Sequence, residues 1–247
     1  MYGILCAVPE ELEALRSRLT LDPKPEIHGP TQVWRGEHGG AQIALARSGI
    51  GKVNAAAAAT LLVSRFSPRA LIFSGVAGGL DPDLPVGAVL LADRLAIHDY
   101  GLVQGGRFTP TDYGVIPVGA PRLASLPPVE AESAAVLTEL AAKVAPDLAH
   151  PVRLGGVVTA DYFLSCGATR QTLRAEFAAD AIDMESGAVN QVARAWGLPL
   201  YVIRTLSDLA GEESHVTYLE MAALAACNSA LCVETLLQLL EARRRRQ

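Results

Sequence analysis

Carboxylate side chains follow three apolar segments that are typical of buried β-strands. Glu11 comes shortly after the first segment, Glu185 follows a second, and Asp208 follows a third. Because ligands bind at the carboxyl ends of strands in open α/β sheets, we expect these carboxylates to lie beside one ligand and to exchange protons with it. The structural alternatives are a helix-dipole partner at Glu11 and helix N-caps at Glu185 and Asp208.

Glycine-rich residues follow two other predicted strands. Residues 75–79 come directly after the apolar run 70–74, and residues 48–52 form a predicted turn before an alanine-rich helix. Each of these segments either cradles a ligand or makes a tight turn. Neither segment has the spacing of a P-loop or of the G-x-G-x-x-G fingerprint. A P-loop NTPase and a dinucleotide-binding domain of the G-x-G-x-x-G type are therefore excluded.

The elements that must position these residues alternate between apolar runs and helical stretches. We predict strands at residues 2–8, 32–35, 41–47, 70–74, 88–97, 153–159, 181–184 and 200–206, and helices at 9–19, 53–64, 130–144, 185–196 and 218–243. This alternation predicts an α/β fold, a single-domain three-layer α/β/α sandwich with a central mixed, largely parallel sheet over residues 1–247. Residues 100–128 are rich in glycine and proline and predict a functional or partner-contacting loop.

Composition narrows the class of protein. The chain has 247 residues, of which 50% are hydrophobic and 19% charged, and its formal net charge is −5. These values exclude a disordered chain and offer no basic surface for nucleic acid. No apolar run reaches the ~18 residues of a membrane span, so we expect no membrane partner. Residues 1–8 also lack the basic start of a signal peptide.

The remaining charged and sulfur-containing residues carry no further motif. Residues 243–247 contain four consecutive arginines and predict a frayed basic tail. The four cysteines form no C-x-x-C pair and no zinc-binding spacing, so no metal site is expected. Since no export signal is evident, we expect reduced thiols in a cytoplasmic protein.

Five segments occur in an order that resembles the methylthioadenosine/S-adenosylhomocysteine nucleosidase family, within the purine nucleoside phosphorylase-like superfamily. The likeness extends from about residue 2 to about residue 240 and is most specific at residues 183–186 and 204–208. The segments are Ala7-Val8-Pro9-Glu10-Glu11-Leu12, Ser48-Gly49-Ile50-Gly51-Lys52-Val53, Ser74-Gly75-Val76-Ala77-Gly78-Gly79, Asp183-Met184-Glu185-Ser186 and Arg204-Thr205-Leu206-Ser207-Asp208.

The resemblance implies a purine nucleosidase that hydrolyses the N-glycosidic bond of 5′-methylthioadenosine and S-adenosylhomocysteine, with 5′-deoxyadenosine as a further candidate. The products are adenine and the thioribose. Asp208 matches the general acid that protonates the base, and Glu11 matches the group that activates water. Glu185 matches the residue that binds the ribose hydroxyls, and Arg204 matches a residue near the water and Glu185. Ser207 is expected to orient the Asp208 carboxylate. No cofactor is implied.

The resemblance also implies a set of substrate-binding residues. Phe163 is expected to stack on the base, Leu164 to read the purine edge with its backbone, and Met184 to lie against the sugar. Val76 stands where many relatives carry serine, which changes the hydrogen bonding near the water. The remaining expected contacts, in the glycine-rich segment and the wall of the 5′ pocket, are Val8, Ile50, Ala77, Gly78 and Tyr218.

A second subunit is expected to complete the 5′ pocket in a homodimer. Phe108, Tyr113 and Pro117, in the glycine- and proline-rich segment, are candidates for that contribution; the alternative is a variable surface loop. We interpret His98 and His215 as structural residues, because the chemistry of the family needs neither as a base.

Three other functions remain open at this stage. A futalosine hydrolase would share the fold and the acids. A phosphorylase would need an anion site, for which Arg47 and Lys52 are available, although the charge of Glu11 and the bulk of Ile50 oppose phosphate there. A nucleoside-binding sensor without turnover would have lost the catalytic residues. The physiological role is also open among methionine salvage, removal of inhibitory thionucleosides and supply of an autoinducer precursor.

Overall fold

A mixed β-sheet runs through the computed structural model, which describes residues 1–246. The strands are β1 (Tyr2–Cys6), β2 (Glu26–His28), β3 (Thr31–His38), β4 (Ala41–Arg47), β5 (Leu71–Gly79), β6 (Val89–Ile97), β7 (Gly101–Gln104), β8 (Arg107–Pro110), β9 (Val152–Thr159), β10 (Ala181–Asp183) and β11 (Leu200–Asp208). Nine of them form one sheet in the order β10-β9-β6-β11-β5-β1-β4-β3-β2, and β7 pairs with β8. The parallel pairs are β9–β10, β6–β9, β5–β11, β1–β5 and β1–β4.

Helices cover both faces of this sheet. They are α1 (Pro9–Arg18), α2 (Lys52–Phe66), α3 (Ala131–Val144), α4 (Gly167–Phe177), α5 (Ser186–Ala195) and α6 (Ser214–Arg244). One core contains buried side chains of α1, α3 and α6 together with Ile72 and Ile203 of the sheet. The other contains α2 and α5 together with Leu5 and Phe73, which point to the opposite face because side chains alternate along a strand. The predicted three-layer sandwich with a mixed sheet is confirmed.

Strand β5 continues through the glycine-rich residues 75–79, where a loop was predicted. Its last residues pair with β11 in parallel and with β10 in antiparallel orientation. The ladders hold this segment extended, and a Cβ on Gly79 would lie 2.9 Å from the Leu206 side chain. The loop prediction is therefore wrong, because the neighbouring strands could not be inferred locally. The β5–β10 pairing closes β10, β9, β6, β11 and β5 into a ring, which brings their ends together.

Several element boundaries also differ from the predictions. Strand β11 includes Ser207 and Asp208, which were expected to follow it. Strand β2 and helix α4 were not predicted, and residues 100–128 contain the β7–β8 hairpin. Only Leu173 and Phe177 of α4 are buried, so its sequence carries a weak helical pattern.

The C-terminal helix α6 corrects two further expectations. It is the one helix within residues 1–246 that is long and apolar enough to span a membrane, with an 18-residue window of mean hydropathy 1.5 that is 50% buried. This stretch was not predicted, because polar residues interrupt its apolar ones. In the fold, α6 packs against β5 and β11. The predicted frayed tail does not include Arg243 and Arg244, because both residues are helical and Arg243 pairs with Glu139 at 2.7 Å. Gln247 lies outside the described residues.

Candidate active site

A cavity of about 480 Å³ opens where β1, β5, β10 and β11 end. Its wall is mostly apolar, with carboxylates at a few points, as is usual for a small-molecule site. Twelve residues predicted from the sequence line it: Val8, Glu11, Ile50, Val76, Ala77, Gly78, Phe163, Met184, Glu185, Ser207, Asp208 and Tyr218. Ala7, Ile182, Asp183, His215 and Leu219 also line it and were not predicted to do so.

Glu11 lies in the first turn of α1 and is held by backbone N–H groups from two elements. Its Oε2 accepts hydrogen bonds from Ala7 at 2.6 Å and Val8 at 3.1 Å, and its Oε1 accepts one from Val76 at 2.9 Å. Burial raises the pKa of Glu11, while Arg204 and the three N–H groups oppose that rise. Glu11 is therefore more than a helix-dipole partner: it is fixed at the cavity wall with a proton affinity above that of a free carboxylate.

Arg204 lies behind the cavity wall on β11 and is 0% exposed. Its guanidinium is 2.7 Å from the Asp183 carboxylate and 3.7 Å from that of Glu185, and it stacks over Phe73 at 4.1 Å. Although burial disfavours its charge, Asp183, Glu185 and Glu11 outweigh that effect and raise the pKa of Arg204. The arginine remains charged and compensates three buried carboxylates.

Asp183 is the anchor of this cluster. Besides Arg204, it accepts hydrogen bonds from the Thr159 hydroxyl at 2.5 Å and from the backbone N–H of Ser186 at 3.1 Å. The Ser186 hydroxyl also donates to it, at the start of α5. The sequence placed Asp183 at a strand end, but its role in holding Arg204 depends on contacts between β9, β10 and β11.

Glu185 precedes α5 and connects to the turn before α2. Its Oε1 accepts a hydrogen bond from the Gly51 N–H at 2.9 Å. It occupies the N-cap position without a capping hydrogen bond from its own helix, so the N-cap interpretation fails here. Burial raises the pKa of Glu185 to about 7, against the attraction of Arg204. The group is thus close to half-protonated near neutral pH.

Asp208 ends β11 and also lines the cavity. Its Oδ1 accepts a hydrogen bond from the Ala210 N–H at 2.8 Å, and its Oδ2 accepts one from the Ser207 hydroxyl at 3.0 Å. Burial raises the pKa of Asp208, while hydrogen bonds from Ala210, Ser214 and Ser207 lower it. A carboxyl group whose pKa is raised in this way is better suited to donate a proton than a free aspartic acid.

The segment before α4 forms the wall near Asp208. Phe163 is 48% exposed and meets Tyr218 edge to face, with ring centroids 5.8 Å apart. Leu164 does not line the main cavity but borders a small adjoining one of about 40 Å³, together with Phe163, Met184 and Asp208. An aromatic side chain and a buried carboxyl group thus border the same part of the site, an arrangement that suits a flat heteroaromatic ring.

Other predicted residues lie apart from this cavity. Phe108, Tyr113 and Pro117 are not among the residues that line it in their own chain. His98 is buried and bonded to the Tyr162 hydroxyl at 2.9 Å, in keeping with a structural role, whereas His215 lines the cavity. Among residues 1–246 no group of three or more histidine, cysteine, aspartate or glutamate side chains is placed to hold a metal ion.

Lys52, considered above for an anion site, is already paired. Its ammonium group donates to Asp99 and lies 3.6 Å from the Asp161 carboxylate. Since Lys52 is not among the residues that line the cavity and Glu11 adds a carboxylate to its wall, the site offers poor binding for phosphate.

Comparison with known proteins agrees with the resemblance. The family model of the phosphorylase superfamily matches residues 1–238. The 5′-methylthioadenosine/S-adenosylhomocysteine nucleosidase of Mycobacterium bovis is 36% identical over 97% of this chain and 98% of its own.

Two solved structures from Helicobacter pylori have the same fold. One is a futalosine hydrolase with a TM-score of 0.83 and 27% identity, covering 96% of both chains. The other is a mutant 5′-methylthioadenosine/S-adenosylhomocysteine nucleosidase with 5′-methylthioadenosine in its active site, with a TM-score of 0.82 and 27% identity over 96% of this chain and 97% of its own. This chain therefore belongs to the 5′-methylthioadenosine/S-adenosylhomocysteine nucleosidase family of the phosphorylase superfamily.

Proposed function

We propose that this chain hydrolyses the N-glycosidic bond of 5′-methylthioadenosine and S-adenosylhomocysteine, releasing adenine and the corresponding thioribose. The observation that carries the proposal is the placement of Glu11, Glu185 and Asp208 on one apolar cavity, each buried and each with a raised pKa. Cleavage of this bond develops positive charge on the ribose and negative charge on the purine. A proton donor for the purine and carboxylates that stabilise the ribose match that charge distribution.

Asp208 is the proposed general acid. It gives its proton to N7 of the purine as the C1′–N9 bond breaks, and adenine leaves as a neutral molecule. The raised pKa of Asp208 supports this role, because a free aspartic acid with a pKa near 3.9 would be almost fully ionised at neutral pH. Ser207 holds the carboxyl group in place, while Phe163 and the backbone of Leu164 bind the base.

Glu11 is the proposed base for the attacking water. The water oxygen bonds to C1′, and its proton passes to Glu11. Glu11 Oε1 and Arg204 Nη1 both come within contact distance of the position that a Cβ of Gly75 would occupy. In this proposal, one water lies between these two groups, within hydrogen-bond reach of both. Within residues 1–246, Arg204 Nη1 is a buried atom that lacks a hydrogen-bond partner, which supports a role in holding this water.

Glu185 is the proposed ribose-binding residue. Its carboxylate accepts hydrogen bonds from the sugar hydroxyls, and its negative charge stabilises the positive charge that develops on the ring. Met184 packs against the sugar. The rest of the substrate wall is formed by Val8, Ile50, Val76, Ala77, Gly78 and Tyr218. The 5′-alkylthio group is proposed to lie at the open end of the cavity.

We further propose that the chain acts as a homodimer in which Phe108, Tyr113 and Pro117 cover the 5′ end of the partner's cavity. Apolar side chains in that segment are exposed, with Ile116 at 81% and Val118 at 75%. Leu219, at the cavity wall, is 78% exposed. Covering such side chains with a second copy of this chain would stabilise the assembly through apolar burial. Sedimentation at micromolar protein should give the mass of two chains.

A cytoplasmic location and a role in methionine salvage complete the proposal. Cys6, Cys166, Cys227 and Cys232 are free thiols, which suits a reducing compartment. Removal of methylthioadenosine and recovery of its adenine fit a salvage role in nucleoside catabolism.

Product analysis in phosphate-free buffer tests the proposed function. Purified protein should release adenine from 5′-methylthioadenosine, and added phosphate should leave the rate unchanged. Release only with phosphate would instead support a phosphorylase. Release of hypoxanthine from futalosine, without adenine from methylthioadenosine, would support a futalosine hydrolase, as the similarity to that structure allows. Binding without turnover would support a sensor.

A further inference from the structure

The first turn of α2 connects two parts of the cavity through consecutive backbone N–H groups. Gly51 N–H donates to Glu185 at 2.9 Å, and Lys52 N–H donates to the Asp161 carboxylate at 2.9 Å. Glu185 is the proposed ribose-binding residue, and Asp161 begins the segment that carries Phe163 and Leu164. The distance between Glu185, on the ribose-binding wall, and the segment with Phe163 and Leu164, the base-binding wall, therefore depends on how firmly the start of α2 is held.

The side chain of Lys52 also helps to hold the start of α2, through its ammonium group. It donates to Asp99 and lies 3.6 Å from Asp161, and Asp99 in turn accepts a hydrogen bond from the Asp161 N–H at 2.9 Å. The side chains of Lys52 and Asp99 are only 17% and 22% exposed, so water screens this ion pair less than one on the open surface. One cation thus ties α2, the end of β6 and the start of the base-binding segment together.

The base-binding wall has its own, separate anchors. Ser165 donates through its hydroxyl to the Gly211 carbonyl at 2.9 Å, and the Cys166 N–H donates to the Ala210 carbonyl at 3.2 Å. Both partners closely follow Asp208, the proposed acid. Phe163, Leu164 and Asp208 therefore remain together as one unit even if the contacts of Lys52 are lost.

We infer that Lys52, Asp99 and Asp161 form a positioning triad that fixes the ribose-binding Glu185 relative to the base-binding wall. The inference rests on the proposed function of the two walls. A rate that depends on holding base and sugar in one geometry is sensitive to small displacements between their binding groups. Free adenine contacts only the base-binding wall, so its binding should not depend on the triad.

The test compares turnover of 5′-methylthioadenosine with inhibition by adenine in the full-length protein. Lys52→Met, which keeps the length of the stem and removes the charge, should lower kcat/KM by about tenfold or more. The inhibition constant of adenine should change by less than about threefold, which is less than the loss of one typical hydrogen bond to adenine would cause. Lys52→Arg should recover most of the loss, because it restores a cation between the two carboxylates.

Controls separate the triad from general effects on folding. Lys24→Met makes the same chemical change at an exposed lysine and should leave both constants unchanged. If Lys52→Met lowers the melting temperature, the double variant Lys52→Met/Asp99→Asn removes the less exposed of the two carboxylates left without their cation and should show the same contrast between nucleoside and adenine.

Two results would overturn the inference. One is an unchanged kcat/KM in Lys52→Met. The other is an adenine inhibition constant that rises by the same factor as kcat/KM falls, which would make Lys52 a local anchor of the base-binding wall. Failure of the proposed function would look different, since the wild-type protein itself would release no adenine. Calorimetric binding of methylthioadenosine and adenine would then test the triad in the same variants.

Discussion

Glu11 Oε1 and Arg204 Nη1 converge on one point beside Gly75, so close that a Cβ at this position would overlap both atoms. Residue 75 must therefore be glycine for reasons of space, and its φ is not in the left-handed region. The absence of a side chain lets a buried carboxylate and a buried guanidinium approach this strand closely.

Gly75→Ala should displace Glu11 and Arg204 and lower kcat by about 10²-fold, since the water and the sugar would no longer be aligned. Overpacking should also cost about 1–3 kcal/mol in the free energy of unfolding. Steady-state kinetics and urea denaturation measure the two effects. Gly211→Ala, where a Cβ would meet nothing closer than 4.0 Å, is the matched control. Wild-type kcat in Gly75→Ala would show that the reaction does not need this close approach of Glu11 and Arg204.

The stability of the protein should depend on pH through Glu185. Because burial raises the pKa of Glu185 from 4.5 to about 7, the folded state binds the proton more tightly than the unfolded state. The stability that this provides is complete below pH 4.5 and is lost as the pH rises through about 7. Relative to Glu185→Gln, the wild type should lose up to about 3 kcal/mol between pH 4.5 and 7.5. Urea denaturation at both pH values tests this; parallel behaviour of the two proteins would contradict it.

Arg204→Met should destabilise the fold by about 3–5 kcal/mol, because it leaves Asp183, Glu185 and Glu11 buried without their cation. Adding Asp183→Asn to this variant should restore part of the loss, since the two residues are directly paired. The midpoint of urea denaturation reports the effect, and Arg65→Met at an exposed position serves as the control. An unchanged midpoint in Arg204→Met would contradict the role of Arg204 as the cation that stabilises this cluster.

The predicted strands placed Glu11, Glu185 and Asp208 at one edge of the sheet, because apolar runs mark strands and ligands bind at their carboxyl ends. The role of Asp183 could not be derived in this way. Its partners Thr159, Ser186 and Arg204 come from three different elements. The extended glycine-rich end of β5 likewise depends on β10, a strand that comes about 100 residues later in the sequence.

Substitutions of Val76 test whether Glu11 and Arg204 hold the water without help from a side-chain hydroxyl at position 76. The Val76 N–H already donates to Glu11. The substitution Val76→Thr adds a hydroxyl group while keeping a side chain of nearly the same shape as valine. We expect kcat/KM to change by less than about tenfold, the range of one neutral hydrogen bond. Val76→Ala controls for the loss of packing. A larger gain in Val76→Thr alone would mean that Glu11 and Arg204 do not hold the water by themselves.

The most direct test of the whole account is adenine release from 5′-methylthioadenosine in phosphate-free buffer by the wild type, Asp208→Asn and Glu11→Gln. We predict release by the wild type and losses of about 10²-fold or more in each variant, because each removes one proton-transfer group. Circular dichroism should show that both variants remain folded. Wild-type rates in either variant would contradict the role assigned to that residue, and no adenine from the wild type would contradict the function itself.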